Sequence, residues 1–299
     1  MSLTHEPLDL PSSGDPAPDE ISADHGPGAA APTSRRARGL VAVVLPPVVL
    51  GIVILGIWYA ISYGVLEARK RFLLRPPHEV IQVGFLEWDN FSTILDALWV
   101  TTKIAIIGLV ISIVLGMAVA VIMSQAKVAE RAIFPYMVTL QAIPILALVP
   151  VIGFWFGYGQ KSRVLVCVII SIFPIIVNTL FGLQSAERGM HDLFTLHHAS
   201  RITRLRKLMF PAALPAIFAG LRISAGLSVI GAVVGDFFFG QGEAGLGQLL
   251  KRYAVQLDGE ELLAATIMTA VLGVIVFWTF GWLQNRVVGK WYESTSGRS

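Results

Sequence analysis

The sequence predicts an all-α integral membrane protein with about six transmembrane helices, and three observations carry that prediction. Hydrophobic residues make up 55% of the chain and charged residues only 14%, against about 25% charged in an ordinary soluble domain. The apolar runs are long and lack the alternation of barrel strands, so helices are what satisfies the backbone in lipid. Between two of these runs lies a polar, basic interruption from about Met190 to Pro215. The net charge of +3 belongs to loops beside spans and carries no nucleic-acid signal. The single cysteine, Cys167, sits inside an apolar run, which excludes an internal disulfide and a zinc cluster.

Residues 1–34 hold six prolines and six acidic residues with no lysine, arginine or aromatic side chain. Such a composition cannot bury enough surface to fold alone, so a disordered, acidic cytoplasmic tail is expected. It also lacks the apolar core of a signal peptide. Ser34-Arg35-Arg36 faintly resembles a twin-arginine export signal, but the apolar run after it is long enough to span, so residues 35–75 are read as an uncleaved first helix, at 40–63, and its outer connection. Pro76-Pro77-His78-Glu79 then opens an apolar-periodic stretch to about Phe85, which suits either a short helix at the outer interface or a loop anchored by aromatics.

Further spans are expected at 98–123, 136–156, 164–182, 217–239 and 262–283, each near the length that crosses about 30 Å of hydrocarbon. With the N-terminus inside, 13 of the 23 Lys and Arg fall on the cytoplasmic side and 8 outside, while Lys103 and Arg222 lie in spans. That bias puts both termini in the cytoplasm, although the cluster from Arg69 to Arg75 pulls the other way. Pro144, Pro150 and Pro174 each free a carbonyl one turn earlier, which is tolerated where a neighbouring helix or a watery pathway satisfies it. Gln141 and Asn178 lie in or near the same two spans, as the lining of a pathway or as interhelical hydrogen-bonding groups.

In the fifth span Gly231 and Gly235 have the spacing that lets helix backbones approach closely, so this helix is expected to be the most tightly packed. Arg222 and Asp236 lie about 21 Å apart along it and cannot pair within one straight helix. The expectation is solvated charges, with Arg222 reaching the inner interface and Asp236 at the outer mouth; Lys103 snorkels by the same logic.

The interruption from Met190 to Pro215 repeats apolar residues every three to four positions, with Arg201, Arg204, Arg206 and Lys207 between them, so it reads as a short amphipathic helix that Pro211 and Pro215 stop. Such a segment lies on anionic lipid headgroups or presents its face to a cytoplasmic partner. Gly240-Gln-Gly-Glu-Ala-Gly245 has dinucleotide-loop spacing but follows a membrane helix, so it is read as a turn. Gly157-Tyr-Gly-Gln-Lys-Ser162 lacks the ending of a phosphate loop. His191, His197 and His198 lack carboxylate or thiolate partners at ligand spacing, and no hydrolase or zinc-protease signature is present.

A resemblance enters with Ile143-Pro-Ile-Leu-Ala-Leu-Val-Pro150, Trp155-Phe-Gly-Tyr-Gly-Gln-Lys-Ser162, Phe173-Pro-Ile-Ile-Val-Asn-Thr179, Ala199-Ser200-Arg201, the run from Phe210 to Arg222, and Gly245-Leu-Gly247. In their order and spacing, residues 76–290 resemble the permease subunit of bacterial ABC importers, in the branch that includes sulfonate, taurine, nitrate and pyrimidine-precursor systems. Residues 291–299 remain as a C-terminal tail.

The resemblance implies a cytoplasmic coupling loop between the fourth and fifth spans that docks into an ATPase. Asp192, Leu193 and Phe194 stand where the family has Glu-Ala-Ala, and His198 stands where it has glycine. The loop residues so implied are Asp192, Leu193, Phe194, Leu196, His198, Ala199, Ser200, Arg201, Pro211 and Pro215. Glycine at 198 would permit a left-handed turn that histidine takes at some cost. Gln141, Pro144, Pro150 and Asn178 are the candidate pathway residues.

The resemblance further implies ATP and Mg on the partner ATPase and no cofactor on this chain, which has no ATPase motif. Its partners would be ABC ATPase subunits, an extracytoplasmic solute-binding protein, a second permease subunit forming a homodimer, and the lipid of the bacterial inner membrane, with no nucleic acid. The expected cargo is a small organic anion or heterocycle. A stand-alone secondary transporter or a membrane scaffold is the alternative, though inverted repeats and charged midplane residues are not evident.

Overall fold

The computed structural model describes residues 34–292, with side chains from 45 to 289 except residue 68. The expected N- and C-terminal tails lie outside the described residues. The chain divides into two units, one ending at Val53 and one beginning at Ile54. The described residues of the first belong to helix α1 (Ser34–Ala60), which carries Pro46 and Pro47.

Every secondary-structure element among the described residues of the second unit is helical. It holds the end of α1 and short α2 (Pro77–Ile81), then α3 (Trp88–Gln125), α4 (Lys127–Ala142) and α5 (Ile145–Phe156). These are followed by α6 (Gln160–Gln184), α7 (Arg188–Leu196), α8 (Arg201–Arg204) and α9 (Phe210–Phe238). The amphipathic α10 (Leu246–Gln256) and the long α11 (Gly259–Tyr292) complete it.

Five helical stretches are long and apolar enough to cross a membrane: Leu45–Val65, Trp88–Gln125, Gln160–Gln184, Arg201–Phe238 and Gly259–Gly289. A sixth crossing requires α4 and α5 together, and these are bent by 99°. The expected single helix at 136–156 is therefore broken. Pro144 drives its predecessor Ile143 out of the α region, to φ −70° and ψ 123°, and then starts α5.

The proline-rich start of α9 departs from expectation in the opposite sense. Pro211 and Pro215 do not stop the helix: ahead of Pro211 the backbone widens into a π-turn at Leu205–Met209, where Phe210 N–H reaches back to the Leu205 carbonyl, and Pro215 is carried inside α9. The wider turn gives Pro211 room without ending the helix. At 76–86 the structure forms helix α2, with Pro77 in its first turn, followed by another π-turn at Gln82–Leu86. Arg75, in the cluster that opposed the charge bias, is paired with Glu79 at 3.4 Å and Glu260 at 3.0 Å.

The core is α6 against α9, flanked by α3. A Cβ on Gly231 would lie 2.7 Å from the Cys167 Cα, and one on Gly235 would lie 3.0 Å from the Arg163 Cα, so the expected close approach is directed at α6. Ser112 and Ser171 join α3 to α6 through a buried hydroxyl contact of 2.8 Å. Cys167 has no exposed surface, and its thiol points at the Ser228 carbonyl, 3.3 Å away. Water-soluble maleimide is expected to leave Cys167 unlabelled in intact membranes; rapid labelling would place water at that depth.

Candidate functional site

The connection between α6 and α9 is built as a rigid hairpin. α7 ends at Leu196, and His198 adopts φ +51°, the left-handed conformation usually given to glycine. Around it the Ala199 N–H bonds the Phe194 carbonyl and the His198 N–H bonds the Thr195 carbonyl, both at 3.0 Å. That is the paired 6→1 and 5→2 pattern of a Schellman stop, with histidine in the glycine position.

Two residues later the Ser200 hydroxyl caps α8 by accepting the Thr203 N–H at 3.2 Å. Arg204 donates from α8 to the Thr195 hydroxyl of α7 at 3.0 Å, tying the two short helices together. The left-handed residue costs about 1–2 kcal/mol relative to ordinary conformations. His198→Gly is therefore expected to keep or slightly raise the melting temperature, whereas the β-branched His198→Val should lower it.

This hairpin holds its apolar side chains out. Leu196 is 78% exposed, Ile202 69% and Leu193 45%, while Phe194 and Ala199 are half-buried and no residue of α7 is buried. Asp192, Ser200 and Arg201 are exposed beside them. Met209 turns inward and roots the hairpin in the core formed with Leu183 and Ala213, and Leu208 is buried next to it in sequence. Pro211 and Pro215 sit half-buried in the first turns of α9, behind the hairpin.

The structure brings only some of the candidate pathway residues together. Gln141 and Pro144 are exposed at the bend between α4 and α5, with Pro150 exposed on α5. Asn178 stands apart on α6, where its amide donates to the Pro174 carbonyl at 2.8 Å and its Cβ lies against Gly220 of α9. It is a packing group at the α6–α9 crossing. α4 itself buries no residue.

At the far end of α9 is a buried charge cluster that corrects the solvated expectation for Asp236. Asp236 is 0% exposed and pairs with Arg163 of α6 at 2.7 Å. Arg163, 2% exposed, also donates to the carbonyls of Phe239, Gln241 and Glu243 at 2.7–2.9 Å. Asp236 accepts the N–H groups of Gly245 and Gln248, and the Thr101 hydroxyl accepts that of Leu246. Lys103 reaches out to Glu243 at 3.1 Å. The Gly240–Gly245 segment is thus a turn, held from four sides. Arg163 passes for one more loop cation in the sequence, and its partner is found only once α6 and α9 are paired.

Comparison with known proteins follows the same outline. Residues 112–289 match the family described as binding-protein-dependent transport system inner membrane component. The chain is 38% identical over 215 residues to the formylaminopyrimidine transport permease protein ThiX of Halalkalibacterium halodurans, covering 72% of this chain and 84% of that one. It is 26% identical to the aliphatic sulfonates transport permease protein SsuC of Bacillus subtilis, over 82% of this chain and 87% of the relative. Among solved structures it is similar to an amino acid ABC transporter crystallised with histidines, at TM-score 0.53 and 18% identity over 69% of this chain and 98% of that one.

Proposed function

The chain belongs to the family of binding-protein-dependent transport system inner membrane components, the permeases of ABC importers, and from that premise we propose that the α7–α8 hairpin is where a cytoplasmic ATPase grips it. The observation that carries this is the exposure of Leu193, Leu196 and Ile202 on a connector locked by its own hydrogen bonds. A loose loop would dissipate a push from a partner, and a rigid one passes it directly into α9. Asp192, Phe194, His198, Ala199, Ser200 and Arg201 complete the docking surface, and Pro211 and Pro215 lie in the segment that receives the motion.

In this reading the hairpin and both termini are cytoplasmic, and the loop gripped by Arg163 faces outward. ATP and Mg bind the ATPase subunits, with no cofactor on this chain. A second, identical permease covers the unburied α4 and the bend at Pro144, so that Gln141, Pro144 and Pro150 face the pathway between the two copies. An extracytoplasmic binding protein delivers the solute, and closure of the ATPase dimer on ATP biases the permease pair between inward- and outward-open states. The cargo is a small heterocycle or organic anion, in the range of the pyrimidine precursors and sulfonates named for its relatives.

The test is isolation of the tagged permease from its native membrane. Co-purification of a soluble ATPase, whose turnover rises when liganded binding protein is added, is the expected result. Ion-gradient-driven uptake by the permease alone would overturn the proposal.

A further inference from the structure

We propose that the groove between α9 and α11 is a binding site for one anionic phospholipid, with an acyl chain lying along the groove and the phosphate held by Arg222. The groove has a volume of about 610 Å³ and runs from Val233 and Thr269 at one end to Arg222 and Phe277 at the other. It passes over Gly226 and Gly273, where an added Cβ would meet nothing within 4 Å, so its floor is open. Its eleven-residue reach along α9 corresponds to about 16 Å at 1.5 Å per residue. That is about half of a 30 Å hydrocarbon core, the depth of one leaflet.

The chemistry at the end of the groove selects the occupant. The Arg222 Cζ stacks 3.8 Å from the centre of the Phe277 ring, and its Nε is buried without a hydrogen-bond partner. No carboxylate among the described residues pairs with it. A cation at membrane depth is costly unless a counter-charge reaches it. The acids of α9 and α11 cannot serve, because Asp236 is committed to Arg163, and Glu260 and Glu261 lie at the opposite end of α11.

The water boundary is close by. Trp282 is exposed, and Arg286 stacks on it at 5.2 Å, which marks an interfacial belt little more than a turn beyond Phe277. A phosphate at that level reaches Arg222, whose planar fork suits it. The first span of a second copy is the other body that could fill the groove. It is a poorer match, since residues 40–63 contain no acid to answer the arginine.

The experiment uses the full-length permease purified in mild detergent, with whatever subunits accompany it. It is incubated with phosphatidylglycerol or phosphatidylcholine, and retained lipid is counted by native mass spectrometry. One phosphatidylglycerol per chain is expected to survive at collision energies that strip phosphatidylcholine. Arg222→Leu should lower that occupancy about fivefold, the scale of one arginine–headgroup contact, and Arg222→Lys should retain most of it. Gly273→Leu places its side chain in the open groove and should remove both lipids while leaving the melting temperature within a few degrees.

Equal phosphatidylglycerol counts in the native protein, Arg222→Leu and Gly273→Leu would overturn the proposal. So would an efficient disulfide between Ile230→Cys and Ile54→Cys of a second copy in a Cys167→Ser background, because a helix would then occupy the groove. ATPase co-purification is scored separately, so failure there leaves this result standing.

Discussion

Asp236→Ala is expected to destabilise the protein by about 3–5 kcal/mol, the cost of breaking a buried ion pair from one side. The carboxylate is the only anion facing the Arg163 guanidinium in the described structure, and it also accepts the Gly245 and Gln248 N–H groups. Its removal leaves a full positive charge at 2% exposure with carbonyl dipoles alone around it, and leaves the turn that begins α10 without its acceptor. Asp236→Asn keeps an acceptor but not the charge, so its loss should be smaller.

Arg163→Lys should fall between them, since a point-like ammonium cannot serve three carbonyls and a carboxylate in the directions a guanidinium does. The check is thermal unfolding of the solubilised protein followed by fluorescence-detected size exclusion. A fall on the order of 10 °C is expected for Asp236→Ala, together with faster proteolysis of the 239–245 loop. An unchanged midpoint would show that the pair contributes nothing to holding α6, α9 and α10 together.

The second large effect is expected at the hairpin. Leu196→Asp and Ala199→Glu should each reduce recovery of the partner ATPase by roughly a hundredfold in affinity, because an unpaired charge buried in an interface costs about 3 kcal/mol or more. Insertion and the melting temperature should hardly change, since Leu196 is 78% exposed and touches little of its own chain. Arg206→Ala should have a small effect if that exposed side chain lies on the rim.

Arg204→Ala belongs to a different class, because Arg204 ties α8 to α7 through Thr195 and its loss should loosen the docking geometry without removing a contact to the ATPase. If the hairpin instead lay on anionic lipid, the arginine variants would dominate and the apolar ones would merely weaken membrane contact. A pull-down against the ATPase separates the two: undiminished recovery with both Leu196→Asp and Ala199→Glu rules out docking through this face.

Local composition carried much of the fold. Hydropathy over windows of about 20 residues marks a span wherever it sits, so the crossings at 98–123, 164–182 and 262–283 fall within helices of the structure, and that at 217–239 overruns its helix by one residue, Phe239. The spacing of Gly231 and Gly235 likewise announces a close helix contact, because a missing side chain is a property of the residue itself. The place of His198 in a glycine position is legible from the family pattern, and the backbone there is left-handed.

What the sequence could not decide depends on partners distant along the chain or on how a break is absorbed. A proline announces that a carbonyl is freed but not the geometry that results: Pro144 gives a 99° bend, whereas Pro211 is accommodated in a continuous helix by a π-turn. Asp236 reads as a solvated charge because its helix offers it no counter-ion within reach. Only the packing of α6 on α9 brings Arg163 to it and turns two unremarkable loop-end charges into the buried clamp of the 239–245 turn. Hydropathy is a sum over neighbours in sequence, whereas desolvation and pairing are set by neighbours in space, so the spans could be read from the chain and the charge network only from its folded form.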